Sequence, residues 1–280
     1  MSRAITLPLI VGVLVVSNLL ADEALTISEV KPDVTGILVH EVQSPYQAGT
    51  TLIRVLQPDT LLNGKKYPVI YVLPVEARTE SRYGDGLSEV KKLDLHNKFG
   101  AVFVAPTFSH LPWYANHPTN QLIRQESYFI KIVVPFIDQH YPVRGEAGGR
   151  LLLGFSKSGW GAWSLLLRHP DLFGKAIAWD APLMMDKPGM YGSGEIFGTV
   201  DNFEHYRVSK LLEENAKKFS NENEKRLVLI GYGNFRAEHV QAHAFMDERK
   251  IAHEYRDGPE RKHDWHSGWV NEAVEVLLGQ

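Results

Sequence analysis

The chain has 280 residues, 44% hydrophobic and 22% charged, an ordinary globular balance that is long enough to bury one large core. Thirty Lys and Arg against thirty-three Asp and Glu leave a net charge of −3, which excludes a surface built to attract nucleic acid or anionic lipid. The absence of cysteine excludes thiolate catalysis, disulfide staples and cysteine-ligated metals.

The first segment reads Arg3, an apolar run from Ile5 to Val16, then Leu19-Leu20-Ala21 before Asp22-Glu23. A charged start, an apolar middle and a small residue before a polar junction predict a signal peptide over residues 1–21, cleaved after Ala21. A membrane anchor is the alternative, but the apolar stretch falls short of the roughly 20 residues a spanning helix needs. The expected product is a single domain over 22–280, secreted or periplasmic, with no membrane contact after cleavage.

Beyond the leader, strand patterns alternate with helical patterns, which predicts an α/β fold: a mostly parallel central sheet with helices on both faces. Ile37 to Val42 and Thr51 to Leu56 read as an antiparallel pair across a turn-rich link. Val69 to Leu73, Ala101 to Ala105 and Leu151 to Phe155 are continuous apolar runs, as strands buried on both faces require. Helices are expected near 86–98 and 121–140, the second containing Pro135, and then from the end of the third run to about His169. A strand at Ala176 to Trp179, a helix near 209–219, a strand at Leu227 to Ile230, a helix near 238–250 and a last helix from about Gly268 complete the pattern.

The stretch Gly154-Phe155-Ser156-Lys157-Ser158-Gly159 joins a buried strand to a helix. A serine at such a turn is held in a strained conformation with its hydroxyl exposed, and the N–H groups of the following helix point at any oxyanion that develops. Ser158 stands where glycine is usual in the G-x-S-x-G nucleophile elbow, a small change in bulk.

On these and other residues the chain resembles the esterase D-like family of the α/β-hydrolase superfamily, which includes S-formylglutathione hydrolases, feruloyl and acetylxylan esterases, enterochelin esterases and mycolyltransferases. Tyr67 to Leu73 is similar to the family's third strand, Trp113-Tyr114-Ala115-Asn116-His117 to its Trp-Tyr loop, and Arg168-His169-Pro170-Asp171-Leu172-Phe173-Gly174 to its most specific block. His263-Asp264-Trp265, with Trp269 beyond, resembles the histidine segment. The resemblance implies an α/β-hydrolase fold, a serine carboxylic ester hydrolase working through an acyl-enzyme on Ser156, no cofactor and no metal, and Trp113 and Tyr114 near the substrate.

Two departures shape the expected site. Where members carry His-Gly after the third strand, this chain has Pro74-Val75-Glu76. A β-branched valine resists the positive φ that glycine accepts, so the loop must take another path, and the oxyanion hole is assigned to the backbone N–H groups of Lys157 and Glu76. Where members carry the triad acid after the seventh strand, this chain has Gly231-Tyr232-Gly233-Asn234, and asparagine cannot neutralise an imidazolium. Asp180, at the carboxyl end of the strand that follows the Ser156 helix, is therefore the expected acid, with Glu238 and Asp201 as fallbacks. His263 is favoured over His266 as the base.

Other readings fit parts of the chain. His239 and His243, four apart beside Glu238, have a spacing that can ligate zinc, but there is no His-Glu-x-x-His, and they are read as solvated. Trp113, Tyr114 and Tyr191 would also suit a catalytically inactive sugar-binding protein of the same shape, and an acyltransferase would differ only in its acceptor. The expected partner is a small-molecule or carbohydrate ester, such as an acetate or ferulate.

Overall fold

A computed structural model describes residues 25–279. The predicted signal peptide lies outside the described residues. Ten strands form one sheet: β1 (Thr26–Ile27), β2 (Lys31–Pro32), β3 (Leu38–Gln43), β4 (Thr51–Leu56), β5 (Val69–Val72), β6 (Val102–Pro106), β7 (Arg150–Phe155), β8 (Lys175–Trp179), β9 (Leu227–Tyr232) and β10 (His253–Glu260). The order is β1-β3-β4-β6-β5-β7-β8-β9-β10, with β2 also paired to β3. Pairings up to β4–β6 are antiparallel, and those from β6 to β10 are parallel.

Alternate residues of the central strands divide the core into two layers, as the period of two in a strand demands. Val69, Tyr71, Val102, Val104 and Leu152 face one layer with the helices around Phe129, Trp163 and Leu212. Ile70, Val72, Phe103, Leu153 and Ile177 face the other with Leu87, Val274 and Leu277. The helix 157–168 is buried from Ser158 to Leu167, and each of Leu165, Leu166 and Leu167 stabilises the fold by about 1.5–3 kcal/mol relative to exposure.

Where the structure differs from the sequence reading, local chemistry explains it. The helix expected over 86–98 is two pieces, Gly86–Lys92 and Leu95–Lys98, parted at Asp94, which takes φ 54°. The helix expected from 121 starts at Gln125 and widens into a π turn over Phe129–Val133. That turn lies just ahead of Pro135, which has no N–H for the carbonyl four residues back. Strand β10 was not anticipated: His-Glu-Tyr-Arg-Asp-Gly-Pro-Glu shows no apolar run because it is an edge strand with mostly half-buried or exposed side chains. Among the described residues no helix is long and apolar enough to cross a membrane.

Candidate active site

Ser156 sits between β7 and the helix 157–168 with φ 53° and ψ −126°, a strained conformation for a residue with a side chain. Its neighbours are matched to that strain. A Cβ on Gly154 would come within 2.2 Å of the Ser158 carbonyl oxygen, and one on Gly159 within 2.8 Å of the Ala181 methyl, so both positions need glycine. Ser158, the departure from the usual motif, is fully buried; its hydroxyl donates to the Phe155 carbonyl and accepts from the Phe155 N–H, each at 2.9 Å. The extra oxygen is thus satisfied inside the turn.

The segments after β8 and β10 bring the other groups to Ser156. His263 Nε2 lies 3.1 Å from Ser156 Oγ, and His263 Nδ1 donates to Asp180 Oδ2. Asp180 is fully buried at the carboxyl end of β8, with φ 42°. The backbone N–H groups of Asn234 and Phe235 donate to its two oxygens at 2.8 and 2.6 Å. Burial alone would push its carboxyl up, but hydrogen bonds from His263 and the N–H groups of Gly233, Asn234 and Phe235 outweigh it and hold the group below the usual carboxylate range. Asn234, which stands where the family's acid stands, therefore serves Asp180 through its backbone.

The rejected candidates are elsewhere. His266 Nδ1 pairs with the buried Glu89 at 2.7 Å. Glu238 accepts the Met184 N–H at 2.7 Å, and Asp201 lies in the first turn of a surface helix, 200–204.

An open cavity of about 890 Å³ lies over Ser156 and His263 and is walled by Glu76, Tyr83, Lys157, Tyr191 and Phe235. Lys157 opens the helix, where its N–H has no intrahelical acceptor. The Glu76 carboxylate accepts the Tyr83 N–H at 3.1 Å and so closes the loop after β5. Positive φ in that loop falls at Arg78 and not at Val75, the detour that valine requires. Burial pushes the Lys157 ammonium down; Glu76 opposes this and Arg82 adds to it. Lys157 and Arg82 lie 5.9 and 5.1 Å from the Tyr83 ring centre, while the His263 ring meets Tyr83 edge-on at 5.5 Å.

Trp113 and Tyr114 require correction, because both are fully buried and neither lines the cavity. Trp113 packs against Trp160 and Phe197, and Tyr114 donates its hydroxyl to the Pro74 carbonyl at 2.7 Å. They support the site from below because Gly161 leaves the space the Tyr114 ring fills: a Cβ there would be 2.1 Å from it. His239, read as solvated, is also buried; its Nε2 accepts the Ala181 N–H at 2.9 Å, next to Asp180. Burial brings its pKa down to about 4, against the raising influence of Asp180 and Asp257, which keeps the acceptor form. No sequence signal beyond the inward spacing of His239, Ala242 and Met246 marks this histidine.

A parallel sheet with an antiparallel start, helices on both faces, and a serine, histidine and aspartate gathered at the carboxyl ends of its strands define an α/β-hydrolase fold. Solved structures agree. A ferulic acid esterase superposes with a TM-score of 0.67 at 19% identity, over 87% of this chain and 96% of its own. An S-formylglutathione hydrolase from Agrobacterium tumefaciens gives 0.68 at 14%, over 90% and 98%. Fluorophosphonate-binding serine hydrolase F from Staphylococcus aureus gives 0.67 at 15%, over 88% and 98%. The family described as "Putative esterase" matches residues 96–271, and the chain belongs to it. Esterase Rv1288 of Mycobacterium tuberculosis (strain ATCC 25618 / H37Rv) is 26% identical over 141 residues, a match that covers 46% of this chain and 29% of the relative's length.

Proposed function

We propose that the protein hydrolyses carboxylic esters through an acyl-enzyme on Ser156. The observation that carries the reading is the relay Ser156 Oγ to His263 Nε2 at 3.1 Å, continued from His263 Nδ1 to the buried Asp180 carboxylate. In the first step His263 takes the hydroxyl proton as Oγ attacks the ester carbonyl, and Asp180 stabilises the imidazolium. The N–H groups of Lys157 and Glu76 are the proposed oxyanion donors. His263 then gives the proton to the departing alkoxide, and water, activated by the same imidazole, releases the acid and restores Ser156.

Carbohydrate-linked aromatic esters such as ferulates are the favoured substrate class, because Tyr83, Tyr191 and Phe235 give the cavity flat walls and one structural neighbour is a ferulic acid esterase. Export to the periplasm or outside the cell follows from the signal-peptide reading of residues 1–21.

The test is a fluorophosphonate probe followed by mass mapping, with p-nitrophenyl and feruloyl esters as substrates. The label is expected on Ser156, and Ser156→Ala should remove labelling and lower kcat by about five to six orders of magnitude while retaining the fold. A folded wild-type protein inert to the probe and to a broad ester panel would replace this reading with that of a binding protein.

A further inference from the structure

The helix Arg236–Glu248 carries a second histidine one turn beyond His239, on its outer side. His243 meets His253, the first residue of β10, with His243 Nδ1 2.8 Å from His253 Nε2. Asp247 completes the group: its carboxylate oxygens lie 3.4 Å from His243 Nε2 and 3.7 Å from His253 Nε2. One donor atom from each residue falls within 4.8 Å of the others. The 2.8 and 3.4 Å contacts use different nitrogens of His243, so the measure of the site is the 4.8 Å limit, from which a small adjustment of the side chains reaches the spacing of about 3.3 Å between donors on a tetrahedral ion bound at about 2.0–2.1 Å.

The surroundings fix the donors in the form a metal needs. His253 Nδ1 lies 2.7 Å from the Ile251 carbonyl, which can only accept, so that nitrogen carries the proton and the Nε2 lone pair faces His243 and Asp247. The His253 side chain is only 6% exposed, and its ring cannot turn away without abandoning that bond. Tyr255 stacks on the His243 ring at 4.3 Å and holds it from the other side. An imidazole lone pair, a carboxylate and a second imidazole thus converge, with at most one proton among them in the neutral state. Glu222 lines the same open cavity, of about 690 Å³, within which a further oxygen ligand and water have room.

We propose that His243, Asp247 and His253 bind a divalent transition-metal ion of the zinc class. Two imidazoles and a carboxylate suit zinc and its neighbours, whereas magnesium and calcium prefer all-oxygen sites. The site lies far from the chemistry: His253 is in register with Leu227 at the start of β9, while Asp180 and Ser156 follow the carboxyl ends of β8 and β7. Its role is to pin the helix 236–248 to the edge strand. That helix buries only His239, Ala242 and Met246, and its His239 reaches the backbone beside Asp180.

The experiment is calorimetric titration of tag-free, chelator-treated protein with zinc chloride at pH 7.5, with cobalt(II) as a spectroscopic probe and magnesium chloride as the control. Stoichiometric zinc binding is expected, together with a visible cobalt band of tetrahedral intensity and a rise in Tm of about 5 °C at a zinc concentration about 100 times its Kd. His243→Gln should weaken zinc binding at least about 30-fold and Asp247→Asn about 10-fold, in the range by which loss of metal-site partners acts. Both side chains are partly or largely exposed, so the variants should keep the wild-type circular dichroism. Failure of zinc to bind would overturn the proposal and leave the three side chains as a hydrogen-bonded cluster. Equal zinc affinity in folded His243→Gln, or magnesium binding as tight as zinc, would overturn it as well.

Discussion

The turn that carries Ser156 and the loop that faces it across the cavity are built in opposite ways. Most of what shapes the turn lies within a few residues of the serine: Gly154 allows the close approach of Ser158, and Ser158 bonds back to Phe155, while Gly159 makes room for Ala181 and the Ser156 N–H donates to the Trp179 carbonyl of the neighbouring strand. The loop after β5 is held from far along the chain. Tyr114 donates to the Pro74 carbonyl and the Arg78 N–H donates to the Phe108 carbonyl at 2.7 Å, in addition to local bonds from Tyr83 to Glu76, Glu80 to Ala77 and Gly84 to Ser81. A site can therefore announce its nucleophile in a short motif while the wall that completes it depends on residues a motif cannot contain. The acid belongs to the second kind, because the backbone N–H groups that hold Asp180 come from the segment after β9.

Asp180 gives the largest effect by which that contrast is tested. Asp180→Asn should lower kcat by about four orders of magnitude, the scale seen when a triad acid is neutralised. Asn234→Ala should change kcat by less than about threefold, because Asn234 contributes a main-chain N–H that alanine retains. Steady-state kinetics on an ester that wild type turns over decides the matter. A large loss in Asn234→Ala with Asp180→Asn near normal would return the acid's role to the segment after β9.

The second test concerns how remotely the acid is supported. His239 accepts the Ala181 N–H only when neutral, and its pKa is about 4 in the fold against 6.5 for an ordinary histidine. The unfolded chain therefore binds more protons between those values, so this part of the stability is complete above pH 6.5 and is lost as the pH falls toward 4. The loss reaches about 3 kcal/mol at the lower limit, at roughly 1.4 kcal/mol per unit. His239→Gln keeps an acceptor for Ala181 without the titration. Its Tm should fall less steeply than that of wild type from pH 6.5 to 4.5, and parallel curves would show that His239 does not titrate in this range.

The parts of the molecule legible in the sequence are those whose cause is local. The central strands announced themselves because burial on both faces forces continuous apolar runs, as in Leu151 to Phe155. Asp180 was legible by exclusion, since Asn234 lacks the charge the family position needs. Strand β10 was not, because an edge strand exposed along much of its length has no need of an apolar pattern. Trp113 and Tyr114 misled for a related reason: large aromatic rings near a site read as substrate contacts, and only tertiary packing shows them filling the space below. His239 and His243 look alike in sequence, four apart on one helix, yet one faces the core beside Asp180 and the other faces His253.

The smallest expected effect isolates the remote support of the loop. Tyr114 is fully buried, and its hydroxyl is the donor that reaches the Pro74 carbonyl, two residues ahead of Glu76. Tyr114→Phe keeps the ring that fills the space over Gly161 and removes only that donor. A fully buried acceptor left without a partner costs about 1–3 kcal/mol; Pro74 is only half-buried, so its cost is smaller and the loop can relieve it by shifting the carbonyl toward water. Such a shift displaces the Glu76 N–H from the oxyanion it is proposed to bind while leaving Ser156, His263 and Asp180 in place. Transition-state stabilisation should then fall more than ground-state binding, so kcat should drop about 5- to 10-fold with KM nearly unchanged, a part of the loss that follows removal of a whole oxyanion donor. The fluorophosphonate probe should still label Ser156 to full stoichiometry, only more slowly. Unaltered kcat in a folded Tyr114→Phe would mean that the loop is positioned by Glu76 and Arg78 alone, and the contrast between a locally built turn and a remotely built wall would lose its catalytic consequence.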